Sequence, residues 1–305
     1  MASRELHKKL NELREVFDFE KVLSISADNK YIQKYYRVNQ IPYSVFHTHT
    51  DLMYMGISRD GVYKESDLLA HARFVDGYIK KYCAKKVLEI ATGRGANSAY
   101  LAKMNPEVQF YGIDLSPGQL AYAEKRGRRF PNYFPTQGDY HDLSRYAPDT
   151  FDIVFVVEAL CYSREKEKVL DEVYRVLKKG GYFIISDGYR SASNLDEAEK
   201  LACRLCERGM ALEVFDTYDE FLRVIKLSKF SIAHEEDVST CIMPTLYKFE
   251  SLARKFLKCK RCAKWALMIL PSAFVNNFIS AYLMPTIVKD RIGSYWITVL
   301  KKQGS

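Results

Sequence analysis

The sequence holds no uninterrupted apolar run of membrane-spanning length. A spanning helix needs about 20 mostly apolar residues, and the most apolar stretch, residues 266–288, is broken by Pro271, Asn276, Asn277 and Pro285. Two short helices are expected there instead. Residues 1–14 are charged and lack an apolar stretch, so no signal peptide is expected at this start. No internal repeat and no low-complexity linker is present, and a 305-residue chain that is 48% hydrophobic can bury a sizeable core without long disorder. A zinc cage is also missing. Seven cysteines, an odd number, include the pairs Cys203/Cys206 and Cys259/Cys262, but both fall in helical patterns and neither encloses a turn glycine. No metal is expected, and the thiols read as buried or incidental in a reduced, cytoplasmic setting.

Charge of one sign is scarce in one place. The chain carries 46 basic and 38 acidic residues, a net charge of +8. Within residues 248–264, Lys248, Arg254, Lys255, Lys258, Lys260, Arg261 and Lys264 face Glu250 alone. Such a run suits an anionic partner, a phospholipid headgroup or a nucleic acid, or else is a solvated helix face.

Periodicity organises the rest. Residues 3–24 read as one amphipathic helix, with Leu6, Leu10, Leu13, Val16 and Phe17 at helical spacing. An aromatic stretch over residues 31–63 follows, then a helix over about 65–82. From Lys86 short apolar runs alternate with helical patterns: strands over 87–91, 108–113, 133–136, 151–157 and 182–186, with helices over 96–104, 117–129 and 164–177. This alternation predicts an α/β fold, a doubly wound, mostly parallel sheet covered by helices on both faces. Beyond Asp187, helices are expected over 194–226 and most of 244–290, a strand over 230–238 and a closing strand over 294–300.

Three motifs stand at successive strand ends. Val87-Leu88-Glu89-Ile90-Ala91-Thr92-Gly93-Arg94-Gly95 is a strand running into a tight glycine turn and a helix. The glycines permit positive φ and close approach of a ligand, and the helix start offers free N–H groups. A dinucleotide loop would carry a third glycine where Ser98 stands, and no phosphate-binding lysine follows. Glu89, inside the strand, suits a ligand bearing an ammonium group better than a pyrophosphate. About twenty residues on, Asp114 ends the second strand and can accept from ribose hydroxyls; a plain N-cap is the alternative. Gln137-Gly138-Asp139-Tyr140 ends the third strand, where Asp139 can accept from an adenine amino group and Tyr140 can stack on the ring; Gly-Asp is also turn chemistry.

On these residues, and on Phe151-Asp152-Ile153-Val154, Glu158-Ala159 and Val173-Tyr174-Arg175-Val176-Leu177-Lys178-Lys179-Gly180-Gly181, the stretch 87–187 resembles class I S-adenosylmethionine-dependent methyltransferases. The resemblance implies a seven-stranded, Rossmann-like methyltransferase fold whose last strand runs antiparallel. It implies S-adenosylmethionine as cofactor, with Glu89, Gly93 and Gly95 at the methionine part, Asp114 at the ribose, Asp139 with Tyr140 at the adenine, and Leu115, Gln119 and Gly138 also among the cofactor-binding residues. Residues 1–82 then form a helical, aromatic cap. Residues 83–305 form the methyltransferase domain, with a helical insertion over about 240–290 covering the acceptor site.

Glu158-Ala159-Leu160-Cys161-Tyr162 is similar to the Glu-Ala-x-Cys-His run of sterol C-methyltransferases, and the expected acceptor is a small lipophilic molecule: an isoprenoid, a sterol-like compound or another lipid. Candidate bases are Glu158, His47, His49 and His141. Tyr35, Tyr36, Tyr43, Tyr54 and Tyr162 are candidates for the acceptor wall. The expected setting is cytoplasmic, with peripheral contact to an anionic membrane through the basic run. Nucleic acid is not the expected partner, because the Asn/Asp-Pro-Pro-Tyr/Phe run of amino-group methylases is missing after the fourth strand. A polar small molecule, RNA or protein as acceptor, or a non-catalytic cofactor-binding module, are the competing readings.

Overall fold

Helical spacing of leucines makes α1 (Arg4–Arg14), which buries Leu6, Leu10 and Leu13 on one face behind a Ser3 N-cap. The computed structural model describes residues 2–39, 51–191 and 194–303. The single opening helix expected over 3–24 is two. Asp18 caps a separate helix, α2 (Phe19–Leu23), by accepting from the Lys21 N–H, and this competes with continuation from α1. Asp28 does the same for α3 (Asn29–Val38). A 3₁₀ turn, Glu65–Leu69, leads into α4 (Ala70–Tyr82).

The alternating core follows as β1 (Lys86–Ile90), α5 (Ala96–Met104), β2 (Gln109–Asp114), α6 (Pro117–Gly127), β3 (Tyr133–Gln137), β4 (Phe151–Val157), α7 (Lys166–Val176) and β5 (Leu177–Arg190). β5 is much longer than the five residues expected. It starts directly at the end of α7, where Leu177 pairs with Phe151, and runs on to Arg190 because an antiparallel neighbour supplies hydrogen bonds along its whole second half. The helical stretch expected over 194–226 is split into α8 (Glu197–Gly209) and α9 (Tyr218–Leu227). Thr217 and Glu220 form a capping box at the start of α9. The chain closes with β6 (Phe230–Asp237), α10 (Ser239–Leu257), α11 (Lys260–Ile269), α12 (Ser272–Val275), α13 (Asn277–Lys289) and β7 (Gly293–Lys302). The helices break at Pro271 and at Asn276-Asn277 as expected, but Pro285 sits inside α13, and the stretch expected as two short helices holds the end of α11, α12 and α13.

The seven strands lie in the order β3-β2-β1-β4-β5-β7-β6. β1 to β5 are parallel, and β7 enters antiparallel between β5 and β6. Both faces are buried, and the period of two sorts the side chains. Ile153, Phe155 and Ile184 pack under α4 and α5 with Val75, Ile79 and Leu101. Val154, Val156, Phe183 and Ile185 pack against α7 and α9 with Leu170, Val173 and Phe221. Each such buried side chain contributes about 1.5–3 kcal/mol of transfer free energy.

A second core lies off the sheet. Leu6, Leu10, Leu13, Phe17 and Phe19 from the opening helices pack with Leu205 of α8 and with Ile279 and Leu283 of α13. Lys9 is buried inside it, paired with Glu250 at 2.7 Å and donating to the Tyr282 carbonyl at 2.9 Å. Those bonds hold an otherwise costly buried charge. The first and last helical segments of the chain thus share one body.

The cysteine expectation needs correction at one pair. Cys259 and Cys262 are joined as a disulfide, with Cα atoms 5.3 Å apart across the first turn of α11. Cys203 and Cys206 are buried free thiols. Among the described residues no cluster could hold a metal ion, and no helix is long and apolar enough to cross a membrane.

Candidate active site

The carboxyl ends of β1, β2 and β4 and the loop after β3 open into one cavity of about 710 Å³, within the range of roughly 300–1,000 Å³ typical of small-molecule sites. Its polar end is built on the glycine turn. After β1 the backbone goes left-handed at Ala91 (φ 54°), Gly93 (φ 55°) and Gly95 (φ 71°) before entering α5. A Cβ on Gly95 would meet the Tyr133 hydroxyl and come within 2.9 Å of Ala123, so this glycine is a packing requirement behind the wall. A Cβ on Gly93 would meet nothing within 4 Å, so that backbone is open to an incoming group.

Glu89 holds the turn together. Thr92 Oγ and Ser98 Oγ each donate to its Oε2 at 2.6 Å, and Asn97 donates to Oε1 at 3.1 Å. Burial pushes its pKa up to about 7, with these donors working in the opposite direction. A cation placed beside it would draw the carboxylate back to its charged form. Asp114 is equally engaged: Gly93 N–H and Ser116 N–H donate to its two oxygens at 2.8 Å each. Each oxygen keeps a lone pair for a hydroxyl, and burial raises its pKa above the usual carboxylate range.

Gln119 carries the orphaned group of this region. Its Oε1 accepts from Arg94 Nε at 3.3 Å, while its buried Nε2 has no partner among the described residues. A buried donor left unsatisfied at a cavity wall is costly and fits a site that receives a polar ligand. Leu115, Asp139, Tyr140 and His141 complete this end. Asp139 Oδ1 accepts from the His141 N–H at 2.9 Å and meets His141 Nδ1 at 2.7 Å. His141 Nε2 meets Ser163 Oγ at 2.8 Å, so both ring nitrogens of that candidate base are engaged. Gly95 and Gly138 do not line the cavity; Gly138 instead donates its N–H to the Asp114 carbonyl at 3.1 Å.

Glu158 sits at the end of β4 with φ 49°, a left-handed conformation that costs a non-glycine residue and clusters at functional sites. Its Oε1 accepts from Met55 N–H at 2.7 Å and from the Tyr295 hydroxyl at 2.9 Å. Burial pushes its pKa up to about 8, and nearby Asp187 adds to the rise. His71 stands behind the same segment. Its Nε2 lies 2.8 Å from the Met55 carbonyl, which can only accept, so the ring donates there. Burial lowers its pKa to about 4, which keeps it neutral.

The tyrosines expected at the acceptor wall converge. Tyr35, Tyr36, Tyr54 and Tyr162 all line the cavity. Tyr35 donates to Asn277 Oδ1 at 2.6 Å, Tyr162 donates to the Met210 carbonyl at 2.9 Å, and Tyr54 donates to Asn97. Tyr43, His47 and His49 lie outside the described residues. The far end of the cavity is apolar, walled by Phe249, Leu252 and Phe256 of α10, Phe274 of α12, and Phe278 and Met284 of α13. Phe256 and Phe278 stack with centroids 4.1 Å apart.

Several residues here are not signalled by any motif. Asp51 lines the wall and pairs with buried Arg94 and with Arg126. His71 and Tyr295 sit far from Glu158 in sequence. Arg94, enclosed between the two loop glycines, is the one that position alone could have flagged.

Residues 83–233 match the protein family described as "Methyltransferase domain". Over 106 residues the chain is 36% identical to sterol methyltransferase-like 3 of Botryococcus braunii, covering 34% of this chain and 26% of that protein. Over 104 residues it is 36% identical to a probable phthiotriol/phenolphthiotriol dimycocerosates methyltransferase 2 of Mycobacterium ulcerans, covering 34% and 39%. The matched region is thus well under half the length of either relative. Among solved structures, a putative sarcosine dimethylglycine methyltransferase from Galdieria sulphuraria aligns with a TM-score of 0.70 at 15% identity, covering 89% of this chain and 99% of that one. A geranyl diphosphate methyltransferase in complex with GPP and sinefungin aligns with a TM-score of 0.64 at 13% identity, covering 90% and 98%. At such identities the structures speak for the fold alone. The family match runs from just before β1 into β6, contains all the strand-tip acids, and makes residues 83–233 a methyltransferase domain.

Proposed function

We propose that this chain transfers a methyl group to a small lipophilic acceptor seated in the apolar end of the cavity. The observation that carries the reading is continuity: one cavity joins the strand-tip acids to a wall of four phenylalanines, a leucine and a methionine. The names of the matched relatives, sterol and phthiotriol methyltransferases, support a lipid-like acceptor.

When bound, S-adenosylmethionine supplies an activated methyl group on a sulfonium. The open Gly93 backbone and the Glu89 carboxylate suit its charged amino-acid part, Asp114 with Leu115 and Gln119 its ribose, and Asp139 with Tyr140 its adenine. The chain's own task is alignment and exclusion of water. Helix α3 and the helices over about 240–290 roof the acceptor end. Tyr35, Tyr36, Tyr54 and Tyr162 offer aromatic faces to a developing positive charge. Glu158 is the proton acceptor: its Oε1 is held by Met55 and Tyr295, while Oε2 has no donor among the described residues.

Incubating the protein with methyl-labelled cofactor and a lipid extract tests this reading. Label should enter an organic-extractable product, identified by mass spectrometry. Label found only in protein or RNA, or no cofactor binding in calorimetry, overturns it.

A further inference from the structure

Helix α11 faces outward with the wrong chemistry for water. Ala263 is buried against the body, and on the opposite side Arg261, Trp265 and Met268 stand at i, i+4 and i+7, flanked by Lys264 and Ile269. Trp265 is 67% exposed, Met268 82%, Ile269 59%, and Leu270, just past the helix, 40%. Large apolar side chains rarely gather like this on a surface bathed only by water. The charge around them is mostly of one sign, Glu15 of the opening segment being paired with Lys260 at the start of α11. Lys258, Arg261 and Lys264 are exposed, and residues 251–289 contain no aspartate or glutamate.

We propose that α11 is a membrane-docking helix that lies in the headgroup region of an anionic phospholipid bilayer. Trp265, Met268, Ile269 and Leu270 enter the acyl boundary, and Lys258, Arg261 and Lys264 pair with lipid phosphates. Ten residues are far too short to span a bilayer. An apolar stripe bordered by lysine and arginine, with a tryptophan at its centre, is the arrangement that settles in the interface plane. Charge complementarity favours lipid over a second copy of this chain, because a copy would bring the same predominantly basic rim, Lys258, Arg261 and Lys264, against itself.

Position ties this surface to the cavity. Lys255 and Phe256, in the last turn of α10 before α11, and Phe274, in α12 after it, all line the cavity. A bilayer under α11 would therefore lie beside the apolar end, and a lipophilic acceptor could pass between them without crossing water. This link rests on the acceptor reading above; the docking surface itself does not.

Co-sedimentation of the full chain, without cofactor, uses vesicles of phosphatidylcholine with and without phosphatidylserine. Binding is expected only with phosphatidylserine and should weaken as salt rises. Replacing Arg261→Ala and Lys264→Ala together should weaken it about thirtyfold, from about 1 kcal/mol per basic residue. Trp265→Glu should abolish it, and the wild-type tryptophan emission should shift to the blue on binding. Unchanged cofactor binding by these variants shows that they are folded. Equal binding to neutral vesicles, or variants that bind like the wild type, overturns the proposal. Self-association that Trp265→Glu abolishes, without vesicle binding, also overturns it and gives the face to a second copy. Vesicle binding without labelled lipid would leave the surface standing and remove the acceptor reading; labelled lipid without vesicle binding would do the reverse.

Discussion

The two ends of the cavity are made in opposite ways. At the strand tips nearly every polar group is already bonded within the protein: Glu89 by Thr92, Ser98 and Asn97, and Asp114 by Gly93 and Ser116. At the helical end the wall is phenylalanine, leucine and methionine, contributed by segments at the opposite end of the chain from the opening helices that pack behind them. The first end is rigid and backbone-defined, which suits one invariant ligand. The second is set by side-chain shape, which suits an acceptor chosen by hydrophobic fit. Changes at one end should therefore leave binding at the other intact.

The largest expected effect falls where the ends meet. Glu158→Gln should lower kcat by about a hundredfold to ten-thousandfold, the usual range for loss of a general base. Because burial holds this carboxyl near 8, the wild-type rate should climb with pH to a plateau above about 8, and the variant's profile should lose that limb. A normal rate and profile in Glu158→Gln would move the base elsewhere. The same group carries a stability signature. Its folded pKa lies above the ordinary value of 4.5, so its contribution is full below about 4.5 and is lost as pH rises through about 8. Chemical denaturation across that window should show a shallower decline in the Gln variant.

A smaller, one-sided effect is expected at the polar end. Asp114→Ala removes the carboxylate assigned to the ribose hydroxyls, at about 1.5–3 kcal/mol for each bond to a charged group. Calorimetry should show cofactor affinity reduced about a hundredfold or more, with acceptor binding little changed. The reverse should hold at the apolar end. Phe278→Ala removes one face of the stacked Phe256–Phe278 pair, and the acceptor KM should rise about tenfold, from about 1–1.5 kcal/mol of ring contact, while cofactor affinity stays within twofold. If Phe278→Ala weakened the cofactor as much as the acceptor, the two ends of the cavity would not be independent.

The smallest effect concerns the support behind the base. His71→Phe keeps the ring volume but removes the hydrogen bond to the Met55 carbonyl. That bond is worth about 1 kcal/mol, so a several-fold loss of kcat is expected, with a changed pH limb if Met55 positions Glu158. A His71→Phe enzyme with lower stability but an unaltered pH profile would reduce His71 to packing.

The strand-tip half was legible in sequence because its determinants are local. Glu89, Gly93 and Asp114 belong to short strand–turn segments whose register follows from apolar runs and glycines. Boundaries failed where a local competitor acted, as with the Asp18 cap that splits the opening helix, or where a distant strand extended a near one, as β7 does for β5. His71, Asp51 and Tyr295 carried no motif, since each reaches the site through a segment far away in the chain.

By itself, then, the order of residues determined the layered α/β architecture, the glycine turn and its acids, and the basic, acid-free tract near the C-terminus, all properties of periodicity and spacing. Only the tertiary structure decided that Tyr35 and Phe278 share one cavity, that Glu158 is held by Met55 and Tyr295, and that Trp265 faces outward. Those facts depend on which helix faces meet after burial, and hydrophobic burial has no direction of its own until the whole chain is packed.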